Sequence, residues 1–225
     1  MLHMILTETA LEMIPSEYDK DPIVKKWIQK FNNAARLLDT SLHHHLLAKL
    51  KNSEKRGRPD ILHHFLLDTL GSPANFAGEI KIYFHTKSAL YSVSSDMRCP
   101  RDYHRFKALM VQLLEVGNIP KKKPYFIRRE TENFSHWLTA KFSEKNIYHF
   151  TAAGQIYSLK EISDAIAISE EDSVVLIGGF QKGHFSATIA NLPGQKIALP
   201  DRGYDSWVVV NRVLTFYEQS KKILK

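Results

Sequence analysis

Cysteine is all but missing from this chain: Cys99 stands alone among 225 residues. A single thiol excludes an internal disulfide framework and any zinc site built from several cysteines, and it suits a reducing compartment. Long apolar runs are missing as well, since no stretch approaches the ~20 apolar residues of a membrane-spanning helix. The opening Met1-Leu2-His3-Met4-Ile5-Leu6 has no basic start and reaches Thr7 and Glu8 before a signal-peptide core could form. These absences predict a cytoplasmic protein with no membrane partner. No GxGxxG, P-loop or HExxH spacing occurs, nor any internal repeat. Acidic side chains are the scarcer charge, 24 against 31 Lys and Arg, which leaves a net charge of +7. That excess favours an anionic partner, most simply RNA or DNA.

What is present suffices for a proper core, because 44% of the residues are hydrophobic. Length and composition fit one domain, or one domain with an elaboration. Residues 2–6 read as a short buried strand and residues 10–14 as a brief helical piece stopped by Pro15. Asp21-Pro22 opens a helix with a cap and a proline at the first helical position. A second helical run covers residues 42–50, a charged loop residues 51–57, and a third helix runs from Pro59 to Gly71. Residues 79–85 and 89–94 give a hairpin signal. Pro100 is expected to begin a helix with Phe106, Leu109, Met110 and Leu113 on one face. That helix would carry Arg101 and Arg105 together at its edge. After a basic hinge at Lys121-Lys122-Lys123, strand-like runs (147–150, 173–177, 196–199) alternate with helical ones (from Ser158, 185–190, 207–224). Such alternation predicts an α/β domain with a mainly parallel sheet.

Two arginine constellations carry the chemistry. Gly57-Arg58-Pro59-Asp60-Ile61 sets an arginine against a proline turn and a carboxylate, and Arg98-Cys99-Pro100-Arg101 is followed by Arg105. Guanidinium groups fixed in this way grip phosphate bidentately. Asp60 reads as a helix-start carboxylate, a general base or the group that orients Arg58. The last is preferred, because a carboxylate committed to an arginine makes a poor base. The neighbouring arginines could activate the Cys99 thiol, although a structural cysteine is the preferred reading. His43-His44-His45 and His63-His64 cannot converge on one ion from adjacent helical positions, so no metal is expected. Gly178-Gly179-Phe180-Gln181-Lys182-Gly183 follows a buried strand, where glycines let backbone amides approach a ligand. By itself that segment reads more readily as a plain turn.

Taken together these segments resemble a known family, the N1-specific pseudouridine methyltransferases of small-subunit ribosomal RNA, within the SPOUT class. The resemblance covers nearly the whole chain. It rests on Leu38-Asp39-Thr40-Ser41 with His43-His44, on Arg58-Pro59-Asp60-Ile61-Leu62-His63, and on Leu70-Gly71-Ser72-Pro73 with Ala77-Gly78. Its densest part runs from Arg98-Cys99-Pro100-Arg101 through Arg105-Phe106 to Leu109-Met110-Val111-Gln112-Leu113-Leu114. The resemblance implies an α/β SPOUT-type fold with a C-terminal trefoil knot and an inserted β-hairpin/helix elaboration, in one domain spanning residues 1–225. Residues 58–115 would carry the RNA-binding elaboration, and the family's range points to an archaeal source. It further implies a homodimer that takes its methyl group from S-adenosylmethionine and modifies a pseudouridine in an unpaired rRNA loop. The implied RNA contacts are Arg58, Arg98, Arg101 and Arg105, with Asp60 holding Arg58 and standing as the nearest carboxylate for the N1 proton. The implied cofactor positions are Gly178, Gly183, His184 and Phe185, then Leu199, Pro200, Asp201, Arg202, Gly203 and Tyr204. That last loop departs from the family's commoner sequences. A non-catalytic rRNA-binding assembly factor using the same RNA site is the alternative. A dinucleotide-dependent oxidoreductase would need the missing GxGxxG.

Overall fold

An apolar run with no polar alternation, such as Leu2 to Leu6, can only be a strand covered on both faces. In the computed structural model of the chain, which describes residues 1–200 and 203–223, β1 (Leu2–Thr7) is buried along its whole length. Asp21 then caps α1 (Pro22–Phe31) by accepting the Ile23 and Val24 amides. Asp39 caps α2 (Thr40–Leu47), which starts two residues before the sequence pattern suggested. Next come α3 (Pro59–Leu70), the short α4 (Pro73–Phe76), and the antiparallel pair β2 (Ile80–His85) and β3 (Leu90–Val93). The chain continues through α5 (Tyr103–Val116), β4 (Asn118–Ile119), β5 (Ile127–Thr131) and α6 (Phe134–Lys141). It ends with β6 (Ile147–Ile156), α7 (Leu159–Ile168), β7 (Ser173–Gly178), α8 (Ala187–Ala190), β8 (Gln195–Ala198) and α9 (Ser206–Ser220).

The strands form one mixed sheet in the order β4-β5-β3-β2-β1-β7-β6-β8. Strands β2, β1, β7, β6 and β8 are mutually parallel, whereas β3, β5 and β4 join antiparallel. The sheet lies between two helical layers. Leu2, Met4 and Leu6 pack with Phe65, Phe106 and Val210 of α3, α5 and α9, while Ile5 packs with Leu138 of α6 and Ile189 of α8. One irregularity stands out at the C-terminal edge. Ile197 of β8 pairs with Phe150 and again with Gln155, so residues 151–154 bend round the strand. Only a glycine fits there: a Cβ on Gly154 would sit 2.6 Å from the backbone of Ile197.

Three expectations need correction. Residues 10–14 are not helical, because their backbone groups serve other segments. Ala10 donates to Gly179 (2.8 Å) and accepts from Arg58 (3.1 Å), while Ile14 donates to Arg36 (3.0 Å). Residues 117–141 contribute two strands and a helix beyond the expected basic hinge. The helix expected from Pro100 begins at Tyr103, because the Asp102 carboxylate accepts the Arg105 amide at 2.9 Å and so occupies the cap. Arg101 therefore lies in the turn before the helix, not beside Arg105 on its edge.

Candidate functional site

The carboxyl ends of parallel strands are where open α/β sheets bind ligands. Here a cleft of about 630 Å³ opens over the ends of β7, β6 and β8. Its apolar wall comes from Ile177, Ile197 and Val209, and its rim from residues 178–185 and the turn entering α9. A volume of that size, part apolar and part backbone, suits a nucleoside-sized molecule. Gly183 holds φ at +105°, a conformation that side chains rarely adopt. The Ser206 hydroxyl donates to the carbonyl of Gly178, joining the first turn of α9 to the end of β7.

Of the residues singled out for this region, Gly178, Gly183, His184, Phe185, Leu199, Gly203 and Tyr204 line the cleft. Pro200 is exposed and does not. Asp201 and Arg202 lie outside the described residues. Sequence reasoning overlooked Phe150, Thr151, Ala152 and Ser206, which also line it, and gave no role to Phe180 within the glycine segment. Phe150 stood at the expected end of a strand, the one signal that could have flagged its neighbours; Ser206 carries no local signature.

A carboxylate latch fixes the outer wall. Glu8, just past β1, accepts the Ser186 amide through both oxygens (3.0 and 3.1 Å) and the Lys55 ammonium at 3.1 Å. Lys55 also sits 4.6 Å over the ring of Phe180.

The arginine segments assemble on the helical layer that contains α3 and α5. Arg58 forms a two-pronged pair with Asp60, Nε to Oδ1 at 2.8 Å and Nη2 to Oδ2 at 2.7 Å. That bond raises the Arg58 pKa, with Tyr103 and Asp205 adding to it. Asp205 lines the cleft, so Arg58 lies within electrostatic reach of both regions. Arg98, Arg101 and Arg105 are exposed, and among the described residues none has a salt bridge. Their loop is anchored by His63, whose Nε2 donates to the Pro100 carbonyl at 2.7 Å and whose ring stacks on Phe106.

Beneath them Asp39 acts as a hub. It accepts Lys107 Nζ at 2.7 Å, the Tyr103 hydroxyl at 3.2 Å and both donors of Ser41. Burial, then Asp39 and Asp60, push the Tyr103 hydroxyl far up. Thr40 ties the same segment to Gly57 through its hydroxyl at 2.7 Å. The sequence motifs are thus physically joined: Asp39-Thr40 to Gly57, Arg58 to Asp60, and α3 to the Arg98–Arg105 loop.

Two of the side chains weighed in the sequence are kept by burial from any ligand role. Burial pushes the Cys99 thiol up to about 12, so the flanking arginines do not activate it. His43 is fully buried, held near 4 by that burial, and its Nδ1 accepts the Asp39 amide at 3.1 Å. Among the described residues no three His, Cys, Asp or Glu side chains are grouped as metal ligands would be. No helix there is long and apolar enough to cross a membrane.

Comparison with known proteins agrees with this geometry. The family model described as EMG1/NEP1 methyltransferase matches residues 4–218. The chain is similar to "Ribosomal RNA small subunit methyltransferase Nep1" of Staphylothermus marinus, 34% identical over 99% of this chain and 97% of that one. The protein of the same name from Thermococcus onnurineus is 31% identical over 97% and 98%. Among solved structures, Archaeoglobus fulgidus Nep1 bound to S-adenosylhomocysteine superposes with a TM-score of 0.84, at 29% identity and 98% coverage of both chains. A match over nearly the full length on both sequence and fold settles the membership: the chain belongs to the EMG1/NEP1 methyltransferase family.

Proposed function

We propose that this protein is an S-adenosylmethionine-dependent methyltransferase that modifies N1 of a pseudouridine in small-subunit rRNA, in the cytoplasm, during ribosome biogenesis. The observation that carries the reading is the full-length likeness to a Nep1 structure bound to S-adenosylhomocysteine, the product such a transfer leaves. The cleft over β7, β6 and β8 fits that group, with a nucleoside-sized volume, an apolar wall and glycine backbone at the rim. When bound, S-adenosylmethionine supplies an electrophilic methyl on sulfur. Gly178, Gly183, His184, Phe185, Leu199, Gly203 and Tyr204 hold it in this reading, with Phe150, Phe180 and Ser206 added to the set.

The RNA side belongs to residues 58–115. Arg98, Arg101 and Arg105 offer free guanidinium groups to phosphates, and Arg58 is held in one orientation by its two-pronged pair with Asp60. A target base must leave its stack to enter a cleft, which costs least in an unpaired loop. N1 carries the glycosidic bond in uridine but a proton in pseudouridine, so only the latter can accept a methyl there. As the N–C bond forms the methyl–sulfur bond breaks, and the N1 proton passes to solvent. Asp60, bound on both oxygens by Arg58, is suited to orientation and poorly placed to take it.

We further read the C-terminal region as a trefoil knot. The bend of residues 151–154 round β8 and the backbone contact at Gly154 support that reading. The active form is a homodimer of single-domain chains. The test is transfer of labelled methyl from S-adenosylmethionine to two matched RNA loops. Labelling of the pseudouridine loop and not of the uridine loop is the expected result. Tight RNA binding with no labelling of either would replace this reading with that of a non-catalytic assembly factor.

A further inference from the structure

A second recess lies at the end of the sheet that the proposed reaction leaves unused. Leu90 faces His85 and Val93 faces Ile82, so β3 runs away from the cleft and Ser94 lies at the opposite end of the sheet. There Ser92, Ser94, Lys123, Tyr125, Phe126 and Arg128 line an open groove of about 540 Å³. Its backbone is pinned, with the Ser94 amide donating to Phe126 at 2.8 Å and the Phe126 amide donating to Ile119 at 2.6 Å. Phe126 nevertheless keeps 45% of its surface exposed. Lys121, Lys122 and Lys123 are exposed, and among the described residues none has an ion pair, whereas Arg128 is held by Glu130 at 2.6 Å. Among the described residues no carboxylate lines the groove.

Free ammonium groups beside an exposed aromatic ring on a fixed backbone are what single-stranded nucleic acid uses, the first for phosphates and the second for base stacking. An acidic peptide would match the lysines but has no use for a bare stacking face. We propose that this groove binds a second, single-stranded segment of the RNA that carries the target loop, at the far end of the sheet from the cleft. The proposal rests on the reading of the chain as an rRNA methyltransferase.

The experiment compares a minimal pseudouridine loop with the same loop bearing a single-stranded extension on either side, using the full chain. The extension is expected to tighten binding about tenfold, as stacking of one base and a few phosphate contacts does. Phe126→Ala and, separately, Lys122→Glu with Lys123→Glu should remove that gain and leave methylation of the minimal loop unchanged. Bromouridine in the extension should photo-crosslink to the peptide containing Tyr125 and Phe126. If the minimal loop is methylated but the extension adds no affinity, or both variants keep the gain, the groove proposal is wrong and the enzymatic reading stands. If the minimal loop is neither bound nor methylated, the enzymatic reading itself has failed.

Discussion

Replacing Lys107 by methionine tests how strongly the buried Asp39 hub stabilises the fold. The ammonium is 1% exposed and its partner carboxylate 5% exposed, at 2.7 Å. Methionine keeps most of the volume but leaves Asp39 charged and buried, with only Ser41 and Tyr103 to bond it. Removing one member of a buried pair costs about 3–5 kcal/mol, because the other charge stays desolvated. Urea unfolding at pH 7 should show a loss of that size. Adding Asp39→Asn should recover part of it, since the amide carries no charge and still accepts from Ser41.

The loss should also depend on pH. In the native protein burial pushes the Asp39 pKa up most strongly, but the Lys107 and Ser41 bonds together hold it below the usual carboxylate value. The wild-type contribution is therefore present above the unfolded value of ~3.9 and disappears as pH falls through the depressed one. Without Lys107 burial dominates, the folded pKa rises, and the penalty relaxes on acidification. The gap between the two proteins should thus be widest near neutrality and narrow as pH falls. A gap below about 1 kcal/mol at pH 7, the range of an exposed pair, would refute the reasoning.

Arg101→Ala with Arg105→Ala should weaken RNA binding and make its salt dependence shallower by about 0.7 for each phosphate no longer neutralised. Binding of S-adenosylmethionine, followed by calorimetry, should not change. Gly183→Val should do the reverse, because valine at φ +105° must distort the cleft rim; normal cofactor affinity in that variant would remove Gly183 from the site. His3, His43 and His85 are held near 4 by burial, whereas unfolded imidazoles titrate near 6.5. These three groups let the unfolded chain bind up to three more protons between those values. Stability should fall as pH drops through that window, by up to about 4 kcal/mol per pH unit around pH 5. Urea midpoints that stay constant from pH 7 to about pH 5 would contradict this.

Much of this architecture can be read from local patterns. The unbroken apolar runs of β1 and β7 announce strands covered on both faces, and Asp21-Pro22 and Ser158 mark helix starts that form as expected. Arg58 and Asp60 are two residues apart, so their pairing needed no long-range information. What could not be read is decided at a distance. Residues 10–14 lose a helix because Gly179 and Arg58 claim the Ala10 backbone, and α5 starts late because the Pro100 carbonyl is held by His63 while Asp102 takes the cap. Ser206 and Phe150 enter the cleft only because α9 starts, and the pairing of β6 with β7 stops, at the end of β7. Strands as short as β4, with two residues, leave no periodicity to find.

Helix α9 is fastened along its length. Ser206 binds the end of β7, Asn211 binds Asp68 of α3 at 2.9 Å, and Glu218 accepts the Ala74 amide of α4 at 3.0 Å. One end therefore forms part of the cleft while the middle grips α3, the helix that follows Arg58. On the proposed reading this fastening predicts two sites that need not wait for one another, so initial rates measured against S-adenosylmethionine and RNA should fit random rather than ordered addition.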